Sequence, residues 1–377
     1  MKFNATSLPK KCSGTNSMDF NLSEDHQLLS NTLNRFLGDN YDIEKRNEAG
    51  FTAPYHLQDM WNGLAELGVI GALVSEEKGG FGGSAEDISV VFEELGRSLC
   101  VEPMLGTLLA LRVLSDHGQD ERVEQIISGE SRAALAVYEP NMSCDLSAME
   151  ATAVEQDGVW RLNGRKSAIY GAPGSDFVVV AAKTESGTGL FFLENPVLIC
   201  AAMVDGGGVA DLVMENTAAE CLALDAETSL TSALDLGRIA LCAEAVGAMS
   251  ALQDLTVDYL KQRKQFGTTL SSFQALQHRA VNMQIEIEQC RSIVISAVGQ
   301  FGQPGGERNV SMAKNLIGRA GRLMSEESIQ LHGGIGMTWE YPGAHFAKRL
   351  VMIDHQLGDQ NDHAMRLIAT GAKQLVD

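Results

Sequence analysis

Residues 228–267 read TSLTSALDLGRIALCAEAVGAMSALQDLTVDYLKQRKQFG. Leu234, Ile239, Leu241, Val246, Met249, Leu252, Leu255 and Tyr259 form an apolar stripe, which predicts one long helix over 228–260. Phe273–Val298 and Ser311–His332 read as two more long helices, and a short one follows the polar turn at 357–363. Helices in this succession predict a four-helix bundle over residues 226–377.

Upstream the texture differs. Between 134 and 225, short β-rich runs at 134–137, 160–162, 177–181, 190–193 and 197–200 are separated by turn pairs such as Asn163-Gly164 and Pro173-Gly174. They predict a small antiparallel sheet domain. Residues 18–133 read as helical, with Ser23 as an N-cap ahead of Leu29, Leu33, Phe36 and Leu37, a helix through Trp61 and Leu64 stopped at Gly68, and another carrying Ile88, Val91, Phe92 and Leu95. Residues 1–17 are polar and read as a leader, with Met18 as the natural start. The domain order is therefore helical, β, helical.

The net charge of −20 excludes a phosphate-rich partner such as nucleic acid. An anionic ligand then needs a local cluster of positive charge or free backbone N–H groups. The seven cysteines are scattered and odd in number, with no C-x-x-C pair, which points to reduced thiols in a cytoplasm. No apolar run is long enough to span a bilayer, so no membrane insertion is expected. The histidines show no metal-ligand spacing.

Three segments carry possible chemistry. Lys261-Gln262-Arg263-Lys264-Gln265-Phe266-Gly267 places three positive charges at a helix end, either to complement the helix dipole before a glycine stop or to bind phosphate. Gln330-Leu331-His332-Gly333-Gly334-Ile335-Gly336 either ends a helix or lets backbone N–H groups approach a pyrophosphate. Leu357-Gly358-Asp359-Gln360-Asn361-Asp362-His363 reads as a turn with Asp359 or Asn361 as N-cap, and His363 as an exposed helix residue.

In order and spacing these segments resemble the acyl-CoA dehydrogenase family, from Met18 to the end. Met18-Asp19-Phe20-Asn21-Leu22-Ser23-Glu24 is similar to the family's start, and Arg263-Lys264-Gln265-Phe266-Gly267, Phe273-Gln274 and Gln330 to Gly336 to its C-terminal signatures. Cys242 to Gly247, and Lys348-Arg349-Leu350 with Phe346, look like the small subunit of the pimeloyl-CoA dehydrogenase type. The resemblance implies an α domain, a β-barrel-like domain and a C-terminal four-helix bundle. It implies FAD, an acyl-CoA substrate of fatty-acid or aromatic-acid catabolism, tetrameric assembly and an electron-transfer flavoprotein as acceptor. It also implies a flavin shared between subunits, with Arg263, Phe266, Gln274, Gln330, Gly333, Gly334 and Asn361 as contacts and Arg238 on the substrate side.

The chain departs from the family where the reaction needs a base. A carboxylate must take the α-proton while the β-hydride leaves for the flavin. The family's usual Glu falls on Leu357, and the minority position, just before an Arg, falls on Gly237. The family's Trp-Ile-Thr against the flavin is replaced by Ala168-Ile169-Tyr170, and its Thr-Glu-Pro by Tyr138-Glu139-Pro140. Three readings follow. The chain is the complementing subunit of a heteromer, lending its Arg263 and Gln330 half-site to a partner. Or the base has moved, to Glu244, Asp235 or Asp359. Glu244 lies on about the face of Gly237 but roughly 10 Å along the helix, in an apolar stretch that also suits a salt bridge, and Asp235 lies one turn from Arg238. Or the chain is an acyl-CoA-binding assembly protein on the same fold.

Overall fold

A computed structural model describes residues 22–374. The leader 1–17 and the start at Met18 to Asn21 lie outside the described residues. Six helices come first: α1 (Glu24–Asn40), α2 (Ile43–Phe51), α3 (Gln58–Glu66), α4 (Ala85–Arg97), α5 (Met104–Asp116) and α6 (Asp120–Ile127). Ser23 caps α1, its hydroxyl accepting from the His26 N–H at 3.1 Å, and Ser84 with Asp87 forms a capping box on α4. Helix α5 is buried along almost its whole length, so it carries no polar stripe for a periodicity argument to find.

The middle domain is β1 (Ala133–Ala136), β2 (Thr152–Gln156), β3 (Val159–Tyr170), β4 (Phe177–Thr184), β5 (Gly187–Glu194), β6 (Leu198–Ala202) and β7 (Gly208–Ala223). The neighbours run β4-β2-β3-β7-β5, and β5 returns to β4, closing a barrel, with β1 added on β4 and β6 on β7. The expected antiparallel pairing holds for most pairs, but β1 lies parallel to β4, and β2 meets β4 in parallel at Thr152 and Lys183. Strand β4 explains the continuous apolar run at 177–182. Val178, Val180 and Ala182 point into the barrel core, while Phe177, Val179 and Ala181 face the helices. The sixteen-residue β7 and the short β2 have no counterpart in the sequence reading. Most of the second half of β7 is exposed or half-buried, so it lacks the apolar alternation of a covered strand.

The bundle is α7 (Glu227–Gln262), α8 (Gln274–Gln300), α9 (Gly306–His332) and α10 (Pro342–His355), followed by α11 (Gln360–Gln374). Helix α7 is the axis of the molecule, buried almost continuously from Ala233 to Met249 and packed against α4, α5, α8, α9 and α10.

One buried network ties the three domains together. Arg349 on α10 donates from Nε and Nη2 to Glu244 of α7 at 2.5 and 2.7 Å, a bidentate pair. Its Nη1 reaches Asp205, in the β6–β7 turn, at 2.9 Å, and Gln356 Oε1 at 3.0 Å. Arg46 of α2 donates to the backbone carbonyl of the same Asp205. Removing one partner of such a network leaves a buried charge without compensation. Arg349→Leu is therefore expected to lower unfolding stability by about 3–5 kcal/mol, read from urea midpoints.

Candidate functional site

The segment 261–267 is not the helix end with a glycine stop that the sequence offers as one reading. Helix α7 stops at Gln262, and only Lys261 of the three cations is in it. Two short strands follow, β8 (Lys264–Gln265) and β9 (Thr268–Thr269), joined by Phe266-Gly267. Both turn residues have positive φ, 55° and 81°, as a type I′ hairpin turn requires. Gly267 is thus a turn residue rather than a helix stop. A phenylalanine in the left-handed region is an outlier. Phe266 is also 89% exposed, touching Phe273 edge-on at 6.2 Å.

Helix α9 ends beside it. Tyr259 on α7 stacks on His332 at 4.8 Å, and His332 takes a hydrogen bond from Tyr341 Oη at 2.7 Å. Gln330, Gly333 and Gly334 follow on the exposed surface, Gly333 has φ 66°, and a Cβ built on either glycine would meet nothing within 4 Å. Gln274, at the start of α8, is exposed at the same end, because the Leu270 N–H folds back on the Arg263 carbonyl at 2.9 Å. Five of the sequence's flavin candidates and the exposed Arg263 therefore share one bundle end. This is an open surface with a cation, an aromatic face and bare backbone, the chemistry that suits the adenosine and pyrophosphate part of FAD.

Asn361 is not with them. Its N–H donates to Asp359 Oδ1 at 2.7 Å in the first turn of α11, which docks against Asn315, eighteen residues and roughly 27 Å up α9 from Gly333. Asp359 Oδ1 also takes the Asp362 N–H at 2.8 Å, so it caps α11.

That second region holds Gly237 and Leu357, the two positions to which the resemblance assigns a base. Gly237 and Leu357 face each other. A Cβ on Gly237 would lie 2.8 Å from Leu357 Cδ1 and 2.7 Å from Leu109 Cδ2. The two positions that the resemblance assigns to a carboxylate thus converge on one spot, and an isobutyl group fills it. The relocated candidates are engaged elsewhere. Glu244 is held by Arg349, and Asp235 pairs with Arg238 at 2.5 Å. Arg238 is itself buried and donates from Nε to the Leu357 carbonyl at 2.9 Å. It is therefore a clamp on this loop. Lys314, fully buried, donates to the carbonyls of Ile353 at 2.6 Å and Gln356 at 2.8 Å. Burial pushes its pKa down to about 8.

His363 is a correction. It is fully buried rather than exposed, because α11 packs its first turn onto α9 and the Leu357 loop. Its Nε2 lies 3.3 Å from the Leu357 carbonyl. Sequence reasoning also missed Lys314, although it falls on the face of Val310 and Ile317, and Glu102, whose carboxyl burial raises to about 8. Glu102 lines an interior cavity of about 50 Å3 with Glu244, Arg349 and Tyr170. A second cavity, of about 240 Å3, is lined by Tyr138, Ser167, Ala168, Tyr170, Leu357 and Asp362.

Residues 23–129 match the acyl-CoA dehydrogenase N-terminal domain, and residues 228–369 the acyl-CoA dehydrogenase C-terminal domain. The acyl-CoA dehydrogenase IpdE2 of Mycobacterium tuberculosis is 32% identical over 295 residues, covering 78% of this chain and 80% of that protein. A 3-(aryl)acrylate reductase of Clostridium sporogenes is 28% identical over 348 residues, covering 85% of this chain and 91% of that one. The structure of a variant of the Tcur3481-Tcur3483 steroid ACAD superposes with a TM-score of 0.87 at 26% identity, over 94% of this chain and 99% of that one. The chain belongs to the acyl-CoA dehydrogenase family of oxidoreductases, flavoproteins whose cofactor is FAD. Among the described residues, no helix is long and apolar enough to cross a membrane.

The buried histidine makes stability depend on acid. Burial, then Arg238, Lys314 and Arg366, hold the His363 imidazole far below its ordinary value, at about 2. Below pH 6.5 the unfolded chain takes up a proton that the folded chain refuses, so this group costs about 1.4 kcal/mol of stability per pH unit. His363→Asn is expected to flatten the slope of stability between pH 6 and 4 by that amount, measured from urea midpoints at each pH.

Proposed function

We propose that this chain is the complementing subunit of a heteromeric, FAD-dependent acyl-CoA dehydrogenase. It lends Arg263, Phe266, Gln274, Gln330, Gly333 and Gly334 to a flavin whose reactive ring sits on a partner subunit, and that partner brings the base. The observation that carries the reading is the apolar contact of Leu357 with Gly237 at the spot where either form of the family places its carboxylate.

Geometry supports the division of labour. Arg238, beneath the Leu357 loop, and Arg263 are twenty-five residues apart on one helix axis, roughly 37 Å, farther than one dinucleotide reaches. The exposed end of the bundle therefore serves a flavin other than one bound at this chain's own barrel. A structural relative whose name joins two components, Tcur3481 and Tcur3483, is in keeping with such a pairing. The complete enzyme would remove the α-proton and β-hydride of an acyl-CoA thioester. FAD supplies the hydride acceptor, and an electron-transfer flavoprotein reoxidises it. In this chain Arg263 would neutralise pyrophosphate charge, and the open backbone of Gly333 and Gly334 would admit it closely. Relocation of the base to Glu244, Asp235 or Asp359 has less support, since the first two are ion-paired and the third caps a helix.

Purified alone, the chain is expected to hold far less than one FAD per protomer and to show no turnover, with FAD and activity both appearing on co-expression with a second dehydrogenase subunit. A homotetramer with one FAD per protomer and full turnover would overturn the reading. In the heteromer, Arg263→Ala with Phe266→Ala is expected to weaken FAD retention at least tenfold, measured by flavin released on desalting, while Asp359→Asn leaves turnover unchanged.

A further inference from the structure

The motif at 168–170 has a consequence for the interior. The two cavities have one lining residue in common among the described residues, and it is Tyr170. On one side of it lie Tyr138, Ala168 and Leu357, and on the other Glu102, Glu244 and Arg349. We infer that Tyr170 is a fixed partition. It separates the compartment at this subunit's flavin wall from the interior compartment beneath α4 and α7, so that a ligand in one cannot touch a ligand in the other. The inference deepens the reading above, and the identity of the first compartment rests on the resemblance of Ala168-Ile169-Tyr170 to the family's flavin-facing segment.

The partition is built into the barrel. Strand β3 is bulged between Lys166 and Ile169, with Ala168 at φ 53°, and a bulge re-aims the side chains that follow it. Asp211 on β7 holds that bulge, accepting from Ser167 Oγ at 2.7 Å, the Ala168 N–H at 3.2 Å and Arg165 Nη2 at 2.6 Å. Beyond it, Tyr170 pairs with Val209 of β7, and the Gly171 N–H donates to the Gly208 carbonyl at 3.0 Å. On the opposite side the Tyr170 carbonyl lies against α5 at Gly106, where any Cβ would collide with it. The backbone is thus gripped by a strand and a helix, and ring rotation is the freedom left. Burial, with Tyr138 next, pushes the phenol pKa up, which favours the neutral ring. Without the ring, the larger cavity and the smaller one join and reach the roughly 300 Å3 at which ligand pockets begin.

The test compares wild type, Tyr170→Phe and Tyr170→Ala in the full chain. FAD is loaded by reconstitution, and each protein is titrated with butyryl-CoA while flavin absorption is followed. Wild type and Tyr170→Phe are expected to show no shift of the flavin spectrum, and Tyr170→Ala to show a saturable one. A shift in wild type overturns the partition. So does its absence in Tyr170→Ala at unchanged FAD content and melting temperature. If no variant retains FAD, crystal structures of the wild-type and Tyr170→Ala chains decide the matter without it. One continuous cavity in the variant and two in wild type support the inference, and a variant whose cavities stay separate overturns it. Full FAD loading of wild type without coupling to butyryl-CoA would count against the complementing role while leaving the partition intact.

Discussion

Arg349 is the group on which the rest of the arrangement depends. Burial opposes its charge, and Glu244 and Asp205 more than offset that, so its pKa is raised and it stays charged. Two carboxylates from different domains are held by one guanidinium, and the planar fork of arginine suits this where a lysine would not. Glu244 fixes α7 against α10, and Asp205 fixes the β6–β7 turn against both. Arg46 adds the first helical domain through the Asp205 carbonyl. The barrel is thereby held at one angle to the bundle, and that angle sets where Tyr170, Leu357 and Gly237 meet.

The same network decides how to read Glu244. A carboxylate on the central helix, seven residues from the usual base position, invites a catalytic role on spacing alone. A base must be free to reach a substrate proton, and Glu244 has both carboxylate oxygens engaged by a buried arginine. The sequence carries Glu244 and Arg349 in plain view, but 105 residues separate them, and no local pattern says that they touch.

Legibility follows the range of the forces involved. The α7 stripe, the Ser23 cap and the domain order are set by near neighbours, and they could be read directly. So could the absence of a carboxylate at positions 237 and 357. What could not be read depends on distant partners. Strand β7 shows little alternation because half of it faces water. Strand β1 is parallel because its neighbour β4 comes after β2 and β3 in the chain, through a crossover that no local pattern marks. His363 is buried by α9 and the 357 loop, neither visible in its polar surroundings. Phe266 needed the hairpin register before its positive φ emerged, although the Phe-Gly pair between Gln265 and Thr268 was there to see.

The loop at 356–359 shows why a leucine fits position 357 without changing the shape of the chain. The strong holds around position 357 are on its backbone or on its neighbours. Arg238 takes the Leu357 carbonyl, Lys314 takes those of Ile353 and Gln356, and Asp359 caps the helix that follows. None of these contacts depends on the side chain at 357. Position 357 has φ 58°, a conformation leucine does not favour, and it persists because the surrounding hydrogen bonds determine it. A carboxylate placed there would need a hydrogen-bonded or charged partner in a spot walled by Leu109 and Gly237. Leucine removes that cost and adds apolar burial. Selection for catalysis is thus what a glutamate at this position would require, and selection for stability alone favours the leucine that is there. The exposed Phe266, strained and unburied, shows the opposite balance: its conformation costs stability and its ring gains none from the fold. On the function proposed above, a strained, exposed aromatic beside a cation serves contact with something outside the chain, and this contrast between the two ends of α7 is the physical content of that proposal.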